Sequence, residues 1–156
     1  MPGRVTVERL SQHVAAVPML AQWFEAEWPA WYGPGGSGSA EQDLQAFSNE
    51  RGLPIGVIAL LNGSPCGVAV LKEHSIPSHK HLTPWAAAGF VVAALRGQGI
   101  GQRLLSALEA EAKTQGFQSI FCGSATAGSL LLRSQWHLTE RIVHEGKSLG
   151  IYAKAL

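Results

Sequence analysis

Residues 83–108 restrict the architecture of this chain more than any other stretch. Thr83-Pro84-Trp85-Ala86-Ala87-Ala88-Gly89-Phe90-Val91-Val92 is a run of small, aromatic and β-branched residues that reads as a strand. Ala93-Ala94-Leu95-Arg96-Gly97-Gln98-Gly99-Ile100-Gly101 then sets an arginine before three alternating glycines. Ile100, Leu104 and Leu108 follow at i, i+4 and i+8, with Leu105 and Ala112 beside them, so a helix with one apolar side begins at once. Alternating glycines let the backbone turn tightly and bring its N–H groups to a ligand with no Cβ atoms in the way. The helix start adds unpaired N–H donors and a partial positive charge, which favour an anion. Arg96 adds a full charge nearby. Strand, turn and helix together predict a seat for a diphosphate, built from Arg96, Gly97, Gln98, Gly99, Ile100 and Gly101.

The spacing chooses among the ligands that use such seats. A dinucleotide fingerprint requires G-x-G-x-x-G, and Gln102 fills the place of its last glycine. A triphosphate loop requires Gly-Lys-Ser/Thr, and no lysine lies near. Arg96-x-x-Gly99-x-Gly101 remains, opening a helix after an apolar strand. It resembles the pyrophosphate motif Gln/Arg-x-x-Gly-x-Gly/Ala of the GNAT superfamily, the acetyl-CoA-dependent N-acetyltransferases. The plainer alternative is a glycine-rich turn that binds nothing.

The rest of the chain is compatible with one domain over residues 1–156. With 156 residues, 46% of them hydrophobic, it can bury a real core, because a domain of this size hides roughly two-thirds of its unfolded surface. A net charge of +1 gives no reason to expect nucleic acid as a partner. No apolar run approaches the ~20 residues of a membrane span, and the N-terminus leads into a strand, so a cytoplasmic protein away from membranes is expected. Cys66 and Cys122 both lie in apolar, strand-like runs. Buried free thiols are the expectation, a catalytic thiol the alternative.

In chain order, residues 4–10 alternate as a half-exposed strand, and residues 14–28 turn helical, with Pro18 suited to a first turn. Residues 28–38, Trp-Pro-Ala-Trp-Tyr-Gly-Pro-Gly-Gly-Ser-Gly, should be irregular, with a mobile glycine half. Ser39-Ala40-Glu41-Gln42 has capping-box spacing and predicts a helix to about residue 50. Residues 54–61 and 66–71 read as strands around Asn62-Gly63-Ser64-Pro65, a hairpin signal in which Pro65 leaves the turn type open. Residues 73–83 form a polar loop with His74, His79 and His81. After the organising strand and helix, which should stop near Gln115-Gly116, come a strand over 117–122, a helix over 127–135, and two strands over 136–144 and 148–154.

The predicted order, β-α-α-β-β-β-α-β-α-β-β in an α/β (α+β) mixed sheet, is similar to the GNAT acyl-CoA N-acyltransferase fold over nearly the whole chain. Near the C-terminus that family commonly reads Asn-x-x-Ala-x-x-Leu-Tyr-Glu-Lys-x-Gly-Phe. Here Ala127, Leu130, Arg133 and Trp136 agree in kind. Ser124 stands for the asparagine that often contacts the cofactor, Leu131 for the tyrosine, and Gln135 for the glycine that ends the helix.

The resemblance implies acetyl-CoA (coenzyme A) as cofactor and transfer of its acetyl group to a primary amine of a small molecule or peptide. Arg96 to Gly101 would hold the pyrophosphate, and the backbone of Phe90, Val91 and Val92 would pair with the pantetheine arm as an added strand. Ser124 would lie beside the cofactor. A base is needed because only a neutral amine is nucleophilic, and Glu73 and His74, at the end of the third strand, are the candidates. Each has the alternative of an ordinary surface side chain. The family's usual acid is lost at Leu131, so Tyr32, Ser129, water or unassisted thiolate departure would replace it, or turnover has been lost. Trp31 and Tyr32 beside the glycine tip suggest an aromatic lid over the amine, with Trp85 as a further substrate contact or a packed core residue. The three loop histidines lack a fourth ligand, so no metal is expected. The architecture permits a homodimer. A coenzyme-A-binding module with little catalysis, acting as sensor or partner subunit, is the reading of a different class, and a domain for another phosphate ligand is a third.

Overall fold

The computed structural model describes residues 3–156. Among these residues seven strands form one mixed sheet in the order β1-β2-β3-β4-β5-β7-β6. They are β1 (Val5–Arg9), β2 (Ile55–Leu61), β3 (Ser64–Lys72), β4 (Trp85–Val91), β5 (Ser119–Ser124), β6 (His137–His144) and β7 (Lys147–Ala155). All neighbours are antiparallel except β4 and β5. The helices are α1 (Val17–Glu27), α2 (Pro29–Tyr32), α3 (Ala40–Ala46), α4 (Ile100–Thr114) and α5 (Gly128–Arg133). Among the described residues no helix is long and apolar enough to cross a membrane.

Period-two alternation divides β2 between two cores. Ile58 and Leu60 join Leu20, Phe24 and Leu44 of α1 and α3. Ile55, Val57 and Ala59 join Leu104, Leu108 and Leu131 of α4 and α5. Helices on both faces explain why this strand is apolar at nearly every position. Each fully buried Leu or Ile stabilises by roughly 1.5–3 kcal/mol relative to exposure.

Local chemistry sets most boundaries. Pro18 lies in the first turn of α1. Ser39 caps α3 by accepting from the Gln42 N–H, as the capping box predicts. That helix stops at Ala46, short of residue 50, where Phe47 is buried and its carbonyl accepts from Gly56 N–H. Asn62 and Gly63 have φ of 51° and 85° and form a two-residue hairpin turn of the mirror-image kind. Pro65 lies where the β2–β3 register slips, which resolves the turn. Gln135 adopts φ 71° after α5, taking the left-handed conformation of the glycine it replaces.

Two irregularities make the site. Val68 faces Phe90 while Val70 faces Ala87, so β4 carries an extra residue there, with Ala88 at φ 53°. On its other edge β4 pairs with β5 only at Trp85 and Phe121, with the Phe121 N–H donating to the Pro84 carbonyl just before. All six residues of β5 pair with β7 instead. The two parallel strands diverge toward their C-terminal ends.

Candidate active site

A cleft of about 700 Å³ occupies the gap between β4 and β5. Its walls are β4 from Ala86 to Val91, the turn and first residues of α4, Cys122 to Ser124 of β5, and the start of α5. From α1 and its end come Glu27 and Trp28.

The turn supplies an anion seat made of backbone. Gly97 and Gly99 have φ of 78° and 86°, in the left-handed region, and nothing lies within 4 Å of where a Cβ would stand. Gly99 immediately precedes α4, whose first N–H groups have no intrahelical acceptor. Gly101 serves packing: a Cβ there would stand 3.2 Å from Leu130 Cδ2 of α5. Gln98 and Ile100 complete the turn, with Ile100 buried beneath it. A group with two linked phosphates fits this end of the cleft.

Alternation along β4 supplies the second element. Val92 N–H donates to Cys66 O on the β3 side, so the N–H and C=O of Val91 are directed to the opposite edge, into the cleft. Phe90 pairs with Val68 and turns its ring toward α1, stacking on Trp23 at 5.4 Å. Of the three residues expected to pair with an extended arm, Val91 alone has its backbone placed for it, and Val92 lies just past the end of β4.

Arg96 lines the cleft, but its guanidinium does not extend over the helix start as expected. Its Nε donates to the Val91 carbonyl at 2.7 Å, its carbon lies 5.4 Å from the Phe90 ring centroid, and its Nη2 is 3.7 Å from Glu27 Oε2. These three contacts outweigh a turn that offers it no acceptor. Ser124 also lines the cleft, with its Oγ accepting from the N–H groups of Thr126 and Ala127 at 3.2 and 2.8 Å, so it holds the turn that leads into α5 while bordering the site. Leu131 is buried at the base, a hydrocarbon with no proton to give. Burial pushes the Cys122 thiol up to about 12, which keeps it neutral and opposes a nucleophilic role.

The expected catalytic pair and lid are elsewhere. Glu73 and His74 are exposed, lie 3.8 Å from each other, and line no part of the cleft. The physical reason is the length of β3: it runs on to Lys72, which faces Trp85, so both residues leave the sheet at the end where β4 and β5 are still joined. Trp85 is fully buried against Ile76 and Ile151, and its indole N–H donates to the Leu82 carbonyl at 2.7 Å, so it belongs to the core and not to a substrate surface. Segment 28–38 contains the turn of helix α2 in place of an irregular strand of chain. Its glycine half folds back, with Gly38 N–H donating to the Trp31 carbonyl and Gly36 N–H to that of Gly33. Tyr32 donates its hydroxyl to Asp43 Oδ2 at 2.6 Å, and burial together with that bond raises its pKa. Tyr32 therefore braces α2 against α3, and Trp31, 53% exposed, stays outside the cleft. Of the loop histidines, His79 pairs with Glu140 on β6.

Glu27 is the residue that sequence reasoning missed. It is the one carboxylate among the cleft-lining residues. Its signal was faint: an acidic residue beside Trp28, where a helix must turn before Pro29.

Residues 19–131 match the family model described as Acetyltransferase (GNAT) family. No curated protein matches the chain. Among solved structures, an aminoglycoside 6′-N-acetyltransferase complexed with coenzyme A is 13% identical, with 96% of each chain covered and a TM-score of 0.78. A putative acetyltransferase from Salmonella typhimurium with its cofactor acetyl-CoA is 19% identical, covering 97% of this chain and 93% of its own, at a TM-score of 0.68. A GCN5-related N-acetyltransferase from Kribbella flavida is also 19% identical, with 97% and 98% covered and a TM-score of 0.73.

Proposed function

The chain belongs to the GNAT family of acetyltransferases, and from that premise we propose that it transfers an acetyl group from acetyl-CoA to a primary amine. One observation carries the reading: β4 and β5 part after a single pair and open a cleft that ends at the glycine turn. Two solved structures of the same fold, named above, hold coenzyme A or acetyl-CoA.

Acetyl-CoA supplies an acetyl group already activated as a thioester. The chain supplies backbone. N–H groups at the start of α4 hold the diphosphate, aided by the left-handed Gly97 and Gly99. Val91 offers its N–H and C=O to the arm as a strand edge. The extra residue in β4 breaks its register with β3 at Ala88 and Gly89, where an N–H released from the ladder would stabilise negative charge on a carbonyl oxygen. One such donor in a water-poor site is worth about 3 kcal/mol. Leu131 has no proton to give, so the sulfur would leave as thiolate, which a thiol pKa near 8.5 permits, and the proton released by the amine would pass to water.

The absence of an acid at Leu131 and the neutral Cys122 thiol favour a second reading, a coenzyme-A-binding module with little turnover. Thermal unfolding with acetyl-CoA, run beside free-thiol release across a panel of primary amines, separates the two. Stabilisation with thiol release on an amine supports the transferase. Stabilisation without release on any amine supports the module. Stabilisation by nucleotides and not by coenzyme A contradicts both.

A further inference from the structure

Glu27 and Phe90 lie far apart in sequence and meet around a positive charge. That charge is the Arg96 guanidinium, 5.4 Å from the Phe90 ring centroid and 3.7 Å from Glu27 Oε2, with the Val91 carbonyl accepting from its Nε at 2.7 Å. An aromatic face, a carboxylate and a carbonyl around one point are the partners that recognise an organic cation. All of these residues line the cleft, and Trp28 lines it beside them.

The occupant's tie to Glu27 is weak, because the side chains of Arg96 and Glu27 are 51% and 41% exposed and water screens so open an ion pair. Arg96 also fills a place with another use. The Val91 carbonyl it occupies is the strand-edge acceptor that an extended arm needs, and the turn beginning one residue later is the anion seat. An arginine that moved toward bound phosphates would leave Glu27 and Phe90 facing the cleft with no cation between them.

We propose that Glu27 and Phe90 form the subsite for the acceptor's cationic group, and that Arg96 fills it as an internal stand-in until the donor draws it away. This rests on the acetyltransferase reading and names its acceptor class: a primary amine arriving as ammonium on an apolar or aromatic body that lies along Trp28. A carboxylate at this point disfavours anionic acceptors.

The test titrates the ligand-free protein by calorimetry with phenethylammonium chloride and, separately, with the neutral 2-phenylethanol. Arg96→Ala vacates the subsite and lowers the phenethylammonium Kd about tenfold, a typical value for a cation gaining a carboxylate and an aromatic face. Arg96→Gln moves it in the same direction and guards against a folding defect in the first variant. Adding Glu27→Gln to Arg96→Ala removes the gain, and 2-phenylethanol binds all variants alike. The proposal is overturned if neither Arg96 variant gains affinity for the ammonium, if the gain survives Glu27→Gln, or if the alcohol gains equally. No acetyl-CoA is present in this titration, so its failure leaves the transferase reading standing. The thiol-release assay can fail independently.

Discussion

The two ends of the cleft are built from different materials. The proposed diphosphate end is backbone: two left-handed glycines, the N–H groups opening α4, and the edge of Val91. The proposed acceptor end is side chain: Glu27 and Trp28 from α1 and its end, against Phe90 from β4. Backbone geometry is dictated locally, because a glycine pattern states where φ must be positive and where N–H groups are exposed. A side-chain constellation depends on which strands become neighbours, and no short stretch of sequence records that.

Tryptophans test the division most severely. Trp85 closes the core at the junction of β4 and β5, so Trp85→Ala should cost about 3–5 kcal/mol by denaturant unfolding. Trp31 is exposed, and Trp31→Ala should stay within about 0.5 kcal/mol. Equal losses would mean that Trp31 is structural too.

At the other end, Gly99→Ala puts a side chain at φ 86°, where left-handed backbone costs about 1–2 kcal/mol, and should weaken acetyl-CoA binding measured by calorimetry. Gly35 also has open space around a would-be Cβ but no positive φ, so Gly35→Ala should change neither quantity. An unaffected acetyl-CoA affinity in Gly99→Ala would break the backbone account.

Cys122 sharpens the picture of the wall between the two ends. Its thiol is raised from 9.0 to about 12, so the folded chain keeps a proton that the unfolded chain loses. This contribution to stability is intact below about pH 9 and declines as pH climbs from there toward 12. Denaturant midpoints at pH 7, 9 and 10 should fall less in Cys122→Ala than in the unaltered protein. The same slope in both would place water beside the thiol.

The smallest effect belongs to the residues first expected to act as base. Glu73→Gln and His74→Gln should leave thiol release within about twofold, since both stand at the joined end of the strands. A loss of about tenfold or more would return them to the site.

This contrast also explains what the sequence made legible. The element order apart from the short α2, the capped α3, the hairpin at Asn62-Gly63 and the turn before α4 all rest on local rules, and the structure contains each. Proximity to glycines suggests a lid at Trp31 and Tyr32, yet the Tyr32–Asp43 hydrogen bond, which no local pattern encodes, turns that segment into a brace. The end of a strand points to Glu73 and His74, but which end of the cleft that strand reaches is set by the pairing of the whole sheet. The motif points Arg96 at a phosphate, while its observed partners, Glu27 and Phe90, depend on α1 crossing β4.

Amide hydrogen exchange with and without acetyl-CoA tests the central claim most directly. Slowed exchange at Val91 and at the residues from Gly97 to Gly101, with little change at Glu73 and His74, is the predicted pattern. Protection confined to other segments, or no protection at the turn under saturating acetyl-CoA, would contradict the account.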